Sequence, residues 1–254
     1  MRREDMEIFP GVHLVDGVRG AKAYLLVDRT LAVIDTGFPG NADRFCRYIR
    51  KIGRKPEELT SILLTHRHLD HAGSAAELAQ QTGARVLAHL AETRELNGKP
   101  HVVSTWSKRR APMRLRMAVP APVDGFLADG DVVPLLGGVR VIHTPGHTDG
   151  SVCFLLERER VLFPGDMLLR DGLRIVRPLA SPRTDVATYE ESLTRLAALD
   201  VEACCFAHGE PLRKGAGAEI RALVARSRSG PEWWRAVRGL PKIVRFSLGL
   251  ARGS

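Results

Sequence analysis

Four residues of metal-ligating type fall within six positions of this chain, in the segment Thr65-His66-Arg67-His68-Leu69-Asp70-His71. Imidazole nitrogens and carboxylate oxygens are ligands that divalent transition metals favour. Side chains of extended backbone repeat every two residues, so we expect His66 and His68 to point the same way. Asp70 and His71 then face elsewhere, towards a second ion. Chance would produce such a pattern only about once per million positions, since each residue type makes up a few per cent of a typical composition.

Three further candidates each follow an apolar run that predicts a strand. The candidates are His147, Asp166 and His208, and the runs before them are Val139–His143, Arg160–Phe163 and Ala203–Phe206. Layered α/β folds place their sites at the carboxyl ends of strands, so these side chains are expected to meet the histidine-rich segment. Glycines beside each candidate allow tight turns and a close approach of the backbone.

The elements that would position these residues alternate in type along the chain. Further strands are predicted at Ala23–Val27, Leu31–Ile34, Ser61–Leu64, Arg85–Ala88 and Val152–Leu156. Helical spacing of apolar residues predicts helices at Ala42–Ile52, Ser74–Gln81, Val186–Leu199 and Ala218–Arg228. Strands cluster first and then alternate with helices, twice over, which predicts a layered α/β domain with two similar halves.

One region interrupts this regularity. Residues 91–124 hold four prolines and a basic cluster, and we interpret them as a long loop or helical insertion near the site. We assign residues 1–230 to one domain and residues 231–254 to a basic C-terminal tail.

The formal net charge of +9 is uneven. Residues 94–116 carry +6 and residues 231–254 carry +4, so the remaining chain is close to neutral at −1. A domain that binds nucleic acid through an evenly basic surface is therefore not favoured. The tail holds Trp233 and Trp234 among basic residues, a pattern that permits peripheral membrane contact, although packing on the domain or on a second copy in a homodimer is favoured.

Three features of the sequence indicate the cellular compartment of the protein. Residues 1–11 lack the apolar stretch of a secretory signal, and no run of about 18 apolar residues predicts a membrane span. The four cysteines show neither zinc-knuckle nor disulfide-framework spacing, so we expect reduced thiols in the core. Together these features predict a cytoplasmic protein.

With these motifs in order, residues 7 to 228 resemble the metallo-β-lactamase superfamily. The resemblance begins at Ile34-Asp35-Thr36-Gly37 and continues through the histidine-rich segment to His147, Asp166 and His208. It implies an α/β fold of four layers, an αβ/βα sandwich, with the site at one edge. By the same resemblance one metal is held by His66, His68 and His147 and the other by Asp70, His71 and His208. Asp166 bridges them, and Asp35 orients ligands from outside the ligand set.

The resemblance implies two divalent metals, with zinc favoured over iron or manganese. A hydroxide formed between them would attack the substrate, and Asp70 would orient it and accept a proton. Asp166, together with Thr144-Pro145-Gly146-His147-Thr148, is similar to the glyoxalase II (hydroxyacylglutathione hydrolase) and lactonase branches. We therefore expect hydrolysis of a thioester, lactone or other small ester.

Two alternatives stay open on the same fold. A nucleic-acid phosphodiesterase would use the basic residues 94–116 to contact phosphates, although the stretch is short and shows no RNA-binding module. An iron-dependent thiol or persulfide dioxygenase would hold one iron in much the same ligand pattern.

Overall fold

A computed structural model of the chain describes residues 7–102, 119–178 and 184–228. Two sheets dominate these ranges. The first has seven strands in the order β1-β2-β3-β4-β5-β6-β10. They span β1 Glu7–Phe9, β2 Val12–Leu14, β3 Tyr24–Val27, β4 Leu31–Ile34, β5 Leu59–Leu63, β6 Arg85–His89 and β10 Gly125–Leu127. The strands from β1 to β4 pair antiparallel, whereas β4, β5, β6 and β10 run parallel.

The second sheet has five strands in the order β11-β12-β13-β14-β17. They span β11 Val132–Val133, β12 Val139–His143, β13 Val152–Leu156, β14 Val161–Phe163 and β17 Ala203–Cys204. The first four pair antiparallel, and β17 lies parallel to β14. The helices are α1 Ala42–Lys51, α2 Leu69–Ala72, α3 Ala75–Thr82, α4 Val186–Ala197 and α5 Ala216–Arg228.

Alternating side chains of the strands build three packed cores, because successive residues point to opposite faces of a sheet. On β3, Leu25 packs outward among residues of α1 and α3, whereas Tyr24 faces the second sheet. On β13, Phe154 faces the first sheet and Leu155 packs outward with residues of α4 and α5. The rings of Tyr24 and Phe163 meet edge to face at 5.4 Å between centroids. The predicted four-layer αβ/βα sandwich is confirmed.

The prediction for residues 91–124 was wrong in part. A one-turn 3₁₀ helix at Leu90–Glu92 leads into a small antiparallel sheet of β7 Thr93–Leu96, β8 Lys99–Val102 and β9 Ala121–Pro122. Asn97 and Gly98 both have positive φ at the turn between β7 and β8, which is the backbone that a two-residue hairpin requires. Residues 103–118, with most of the basic stretch 94–116, lie outside the described residues.

Other differences concern short elements. The hairpin of β1 and β2 was not predicted, nor was the hairpin of β15 Leu169–Asp171 and β16 Arg174–Val176. Predicted helix and strand ends move by at most two residues, as at Ala203–Phe206, where the strand ends at Cys204. All four cysteines are free and buried, as expected. The tail 231–254 lies outside the described residues, and within the described ranges no helix is long and apolar enough to cross a membrane.

Candidate metal centre

Every predicted ligand lies just beyond the carboxyl end of a strand. The histidine-rich segment follows β5, and its second half folds into the single turn of α2, so Asp70 and His71 are helical rather than extended. His147 follows β12, Asp166 lies in a 3₁₀ turn after β14, and His208 follows β17. The site therefore draws residues from both sheets.

The first group brings three imidazoles together. The Nδ1 atom of His68 lies 2.9 Å from Nε2 of His66 and 3.0 Å from Nε2 of His147. Oδ2 of Asp166 completes the group at 3.4 Å from Nε2 of His147 and 3.9 Å from Nε2 of His66. Three ring nitrogens converging at this spacing leave room at their centre for one cation. We call these residues the three-histidine group: His66, His68 and His147 with Asp166.

The second group is made of Asp70, His71 and His208, and we call it the acidic group. Nε2 of His208 lies 3.4 Å from Oδ2 of Asp70. Oδ1 of Asp166 lies 3.2 Å from Nε2 of His71 and 3.3 Å from Nε2 of His208. The two oxygens of Asp166 thus face different groups, one each.

The residues present fit metal ions. Nε2 of His71, Oδ1 of Asp166 and Nε2 of His208 are buried and have no hydrogen-bond partner. Buried polar atoms in folded proteins nearly always have a hydrogen-bond partner, so three buried atoms without one, all facing the same point, require an explanation. In each group the candidate ligand atoms lie within 4.8 Å of one another. Divalent cations would satisfy these atoms, and the nitrogen and oxygen donors suit zinc, iron or manganese.

Asp35 orients two of the histidines from its position after β4. Its carboxylate accepts hydrogen bonds from Nδ1 of His71 at 2.7 Å and from the hydroxyl of Thr65 at 2.8 Å. Because the Thr65 hydroxyl donates its proton to Asp35, it accepts from Nδ1 of His66, 3.0 Å away. Both rings therefore turn Nε2 towards the site. Asp35 itself has a φ of 58°, a left-handed backbone that is uncommon outside glycine.

Charge divides the two groups. Burial, together with the neighbouring imidazoles, lowers the pKa of His66 well below its usual value, and burial lowers the pKa of His147 to about 4. Burial acts the same way on His71 and His208, but there the surrounding carboxylates, Asp166 foremost, outweigh it and raise the pKa of both rings. The pKa of Asp166 is depressed despite its burial, chiefly by His71 and His208.

The loop that carries His147 is shaped by close packing. Gly146 has a φ of 126°, and a Cβ there would lie 2.4 Å from Cα of Tyr189 on α4. The backbone N–H of Asp185, which caps α4, donates to the carbonyl of Gly146 at 3.0 Å. A side chain at position 146 would push the helix away, so glycine lets α4 support the loop directly.

Two residues with polar roles at the site were missed by the sequence reasoning. Thr65 was quoted within the motif but given no role, and Glu92 was not singled out. Two further histidines, His89 and His143, stack on each other with ring centroids 4.1 Å apart. Neither belongs to the two ligand groups found among the described residues.

A model of the metallo-beta-lactamase superfamily matches residues 16–208 of the chain. A hydroxyacylglutathione hydrolase of Francisella tularensis subsp. novicida (strain U112) is 32% identical over 179 residues, covering 70% of this chain and 58% of its own length. The chain thus spans less than two thirds of that relative. The hydroxyacylglutathione hydrolase GloC of Haemophilus influenzae is 31% identical over 181 residues, covering 68% of this chain and 76% of its own length.

Solved structures show the same architecture. A metallo-beta-lactamase family protein of Thermus thermophilus superposes with a TM-score of 0.68 at 25% identity, covering 87% of this chain and 81% of that protein. A metallo-beta-lactamase of Cronobacter sakazakii superposes with a TM-score of 0.65 at 26% identity, covering 91% and 93%. Proteins named hydroxyacylglutathione hydrolase and metallo-beta-lactamase thus stand among those that this chain is similar to.

Proposed function

The chain belongs to the metallo-beta-lactamase superfamily, and we propose that within it the protein is a dinuclear hydrolase that cleaves a thioester. We propose that the substrate is an acyl thioester of a small thiol, with lactones and other esters as the nearest alternatives. Zinc is the metal we propose for both positions.

One observation carries the dinuclear part of the proposal. The Asp166 carboxylate turns Oδ2 to the three-histidine group and Oδ1 to the acidic group. A carboxylate that shares its two oxygens in this way is suited to hold two cations close together, as in other two-metal hydrolytic sites.

Bound divalent ions would polarise the substrate carbonyl and lower the pKa of a water molecule, so that it attacks at neutral pH. The chain's own contribution to proton transfer is Asp70, whose side chain lies at the site beside His208. Burial alone would raise the pKa of Asp70, but His71 and His208 hold it below its usual value. Asp70 is therefore a carboxylate at neutral pH, able to orient the attacking water and to accept its proton.

The proposed substrate class is supported by the relatives. Two of them are named hydroxyacylglutathione hydrolases and are 31% to 32% identical to this chain over about 180 residues. We carry that substrate class to this chain as a proposal, because the chain spans only 58% of the Francisella relative.

The test joins metal analysis to a substrate panel. The purified protein is assayed for metal content and for hydrolysis of a hydroxyacyl glutathione thioester, a lactone, a β-lactam and a phosphodiester. We expect about two metals per chain and turnover fastest on the thioester. Chelation is expected to abolish it and zinc to restore it.

Other outcomes would contradict the proposal in different ways. Hydrolysis that survives both chelation and His66→Ala would overturn the metallohydrolase itself. Turnover confined to the β-lactam or the phosphodiester would overturn the substrate class. One iron per chain, with thiol-dependent oxygen uptake, would instead identify the protein as an iron-dependent dioxygenase.

A further inference from the structure

Glu92 is a buried carboxylate that neither ligand group includes. It ends the 3₁₀ turn after β6, and only 1% of its surface is exposed. Its Oε2 accepts the backbone N–H of Arg67 at 2.6 Å, and its Oε1 accepts the backbone N–H of Gly150 at 2.8 Å. The guanidinium of Arg67 adds a third hydrogen bond to Oε1 at 3.1 Å and balances the charge. All three of these donors come from two loops.

Those two loops carry the three-histidine group. Arg67 lies between His66 and His68, in the loop after β5 of the first sheet. Gly150 lies three residues beyond His147, in the loop after β12 of the second sheet. Glu92 thus joins the backbones of two loops whose imidazoles must converge on one ion.

The contact with Gly150 is close enough to exclude any other residue there. A Cβ at position 150 would lie 2.8 Å from Cγ of Glu92 and 2.9 Å from its backbone nitrogen. Nearby, the N–H of Val152, at the start of β13, donates to the carbonyl of Thr65 at 2.9 Å, so the end of the second loop is also joined to the first by a backbone bond. Loss of Glu92 should therefore weaken the contact between the two loops without separating them.

We propose that Glu92 is a positioning residue for the three-histidine group, acting as a two-oxygen clamp that sets the distance between the two loops. It touches neither substrate nor metal. Its effect is on the affinity of that group for a divalent ion, because ligands held a fraction of an ångström apart from their binding geometry bind weakly. The inference rests on the proposed metal centre but not on the identity of the substrate.

Glutamine at this position separates a clamp from a packing role. Gln fills the same volume as Glu but has only one acceptor oxygen. Whichever way its amide is turned, the NH₂ faces a backbone N–H of Arg67 or of Gly150, and one of the two bonds is lost. A packing role would be rescued by Glu92→Gln, whereas the clamp would not.

The experiment measures zinc and cobalt affinity by competition with a chromophoric chelator, without substrate. It is done in a His208→Ala background, in which the three-histidine group remains complete and the acidic group does not. Glu92→Gln and Glu92→Ala are compared with Glu58→Gln. Glu58 is a matched control, since it also accepts a backbone N–H, from Lys55, and an arginine bond, from Arg54, beside α1.

We expect both Glu92 variants to weaken binding by about 10- to 100-fold, the range seen when a hydrogen-bond partner of metal ligands is removed. The visible spectrum of bound cobalt should change as well, because it reports ligand geometry. Glu58→Gln should bind as the background does. In a His68→Ala background, where only the acidic group remains, Glu92→Gln should change affinity by less than about threefold. The ligands of that group lie on α2 and after β17, beyond the residues that Glu92 bonds.

Three results would overturn the clamp. Normal affinity of Glu92→Gln would reduce Glu92 to packing. An unchanged cobalt spectrum in Glu92→Gln would show that the ligand geometry does not depend on the clamp. Equal loss in the two backgrounds, with a matching fall in the unfolding temperature of the metal-free protein, would mark general destabilisation. If Glu92→Ala fails to fold, Glu92→Gln decides alone. Absence of metal binding by the unsubstituted protein would instead contradict the proposed function.

Discussion

The two ligand groups share Asp166 but differ in how they hold protons. In the three-histidine group, imidazoles meet other imidazoles in a buried space, and the pKa of His66 and of His147 is lowered. In the acidic group, imidazoles meet carboxylates, and the pKa of His71 and of His208 is raised. Without metal, the imidazoles of the first group favour the neutral form, whereas those of the second group favour the protonated form beside carboxylates.

The two positions would therefore accept a metal by different routes. Ligand imidazoles must be neutral, so the three-histidine group is ready for a cation at neutral pH. In the acidic group the raised pKa values mean that a metal competes with protons for His71 and His208. We therefore expect the three-histidine group to be filled first.

The largest effect should come from the residue that the two groups share. Asp166→Ala removes an oxygen ligand from each, and we expect kcat/KM to fall by about 10³-fold or more, about 4 kcal/mol of transition-state stabilisation. Asp166→Asn keeps the shape of the side chain but has only one oxygen that can bind a metal, so it should retain about one metal per chain. Steady-state kinetics with metal analysis checks both, and two metals retained in Asp166→Ala would contradict the shared role.

Variants specific to one group are next in size. His68→Ala should empty the three-histidine group and His208→Ala the acidic group, each leaving about one metal and lowering kcat/KM by roughly 10²-fold. Metal content, measured by mass spectrometry, distinguishes the loss of one metal from the loss of both metals that unfolding would cause. If either variant loses both metals, the two groups do not bind metal independently, and the division into two separate positions is wrong.

The hydrogen bonds behind the ligands give a smaller contrast. Asp35→Asn removes the carboxylate that accepts from Nδ1 of His71, so the acidic group should lose about 10- to 100-fold in zinc affinity. Thr65→Val removes the hydroxyl that accepts from Nδ1 of His66 but leaves the direct bond between Asp35 and His71, so it should weaken the three-histidine group more than the acidic group. The control is Asp28→Asn, at the opposite end of β4. Asp28 also accepts backbone N–H groups, and its substitution should change neither affinity.

The smallest effect concerns pH. Because the pKa values of His71 and His208 are raised, zinc affinity of the acidic group should fall about tenfold per pH unit for each proton displaced, as pH drops from 7 to 6. His147, with a pKa of about 4, stays neutral over that range, so the three-histidine group should hold its ion. Zinc titrations of His68→Ala and His208→Ala at the two pH values test this. Parallel loss in both variants would refute the charge division.

The seven ligand candidates could be predicted from the sequence because a simple rule governs them. Polar residues after apolar runs collect where strands end, and the structure brings all seven candidates and Asp35 together there. The four-layer fold followed from the order of elements and the family resemblance.

Other features depended on contacts that no local pattern carries. Glu92 lies 58 residues from Gly150 along the chain, so only the folded backbone reveals their hydrogen bond. The hairpins of β1 with β2 and of β15 with β16 have strands of three residues, too short to show periodicity. The turn between β7 and β8 did carry a signal, since Asn97-Gly98 favours a two-residue hairpin, but β7 and β8 themselves lack a clear alternation of apolar residues.

The layered core has a consequence for how this protein would tolerate mutation. Each ligand group takes side chains from both sheets, so its dimensions are set by how one sheet lies on the other. The metal affinity of the centre therefore depends on how the two sheets are aligned. A substitution that shifts Phe163 against Tyr24, too mild to unfold the chain, would first lower the affinity for metal. Selection for a functional centre would then act on interior packing across the whole sandwich, including residues that never approach the ions.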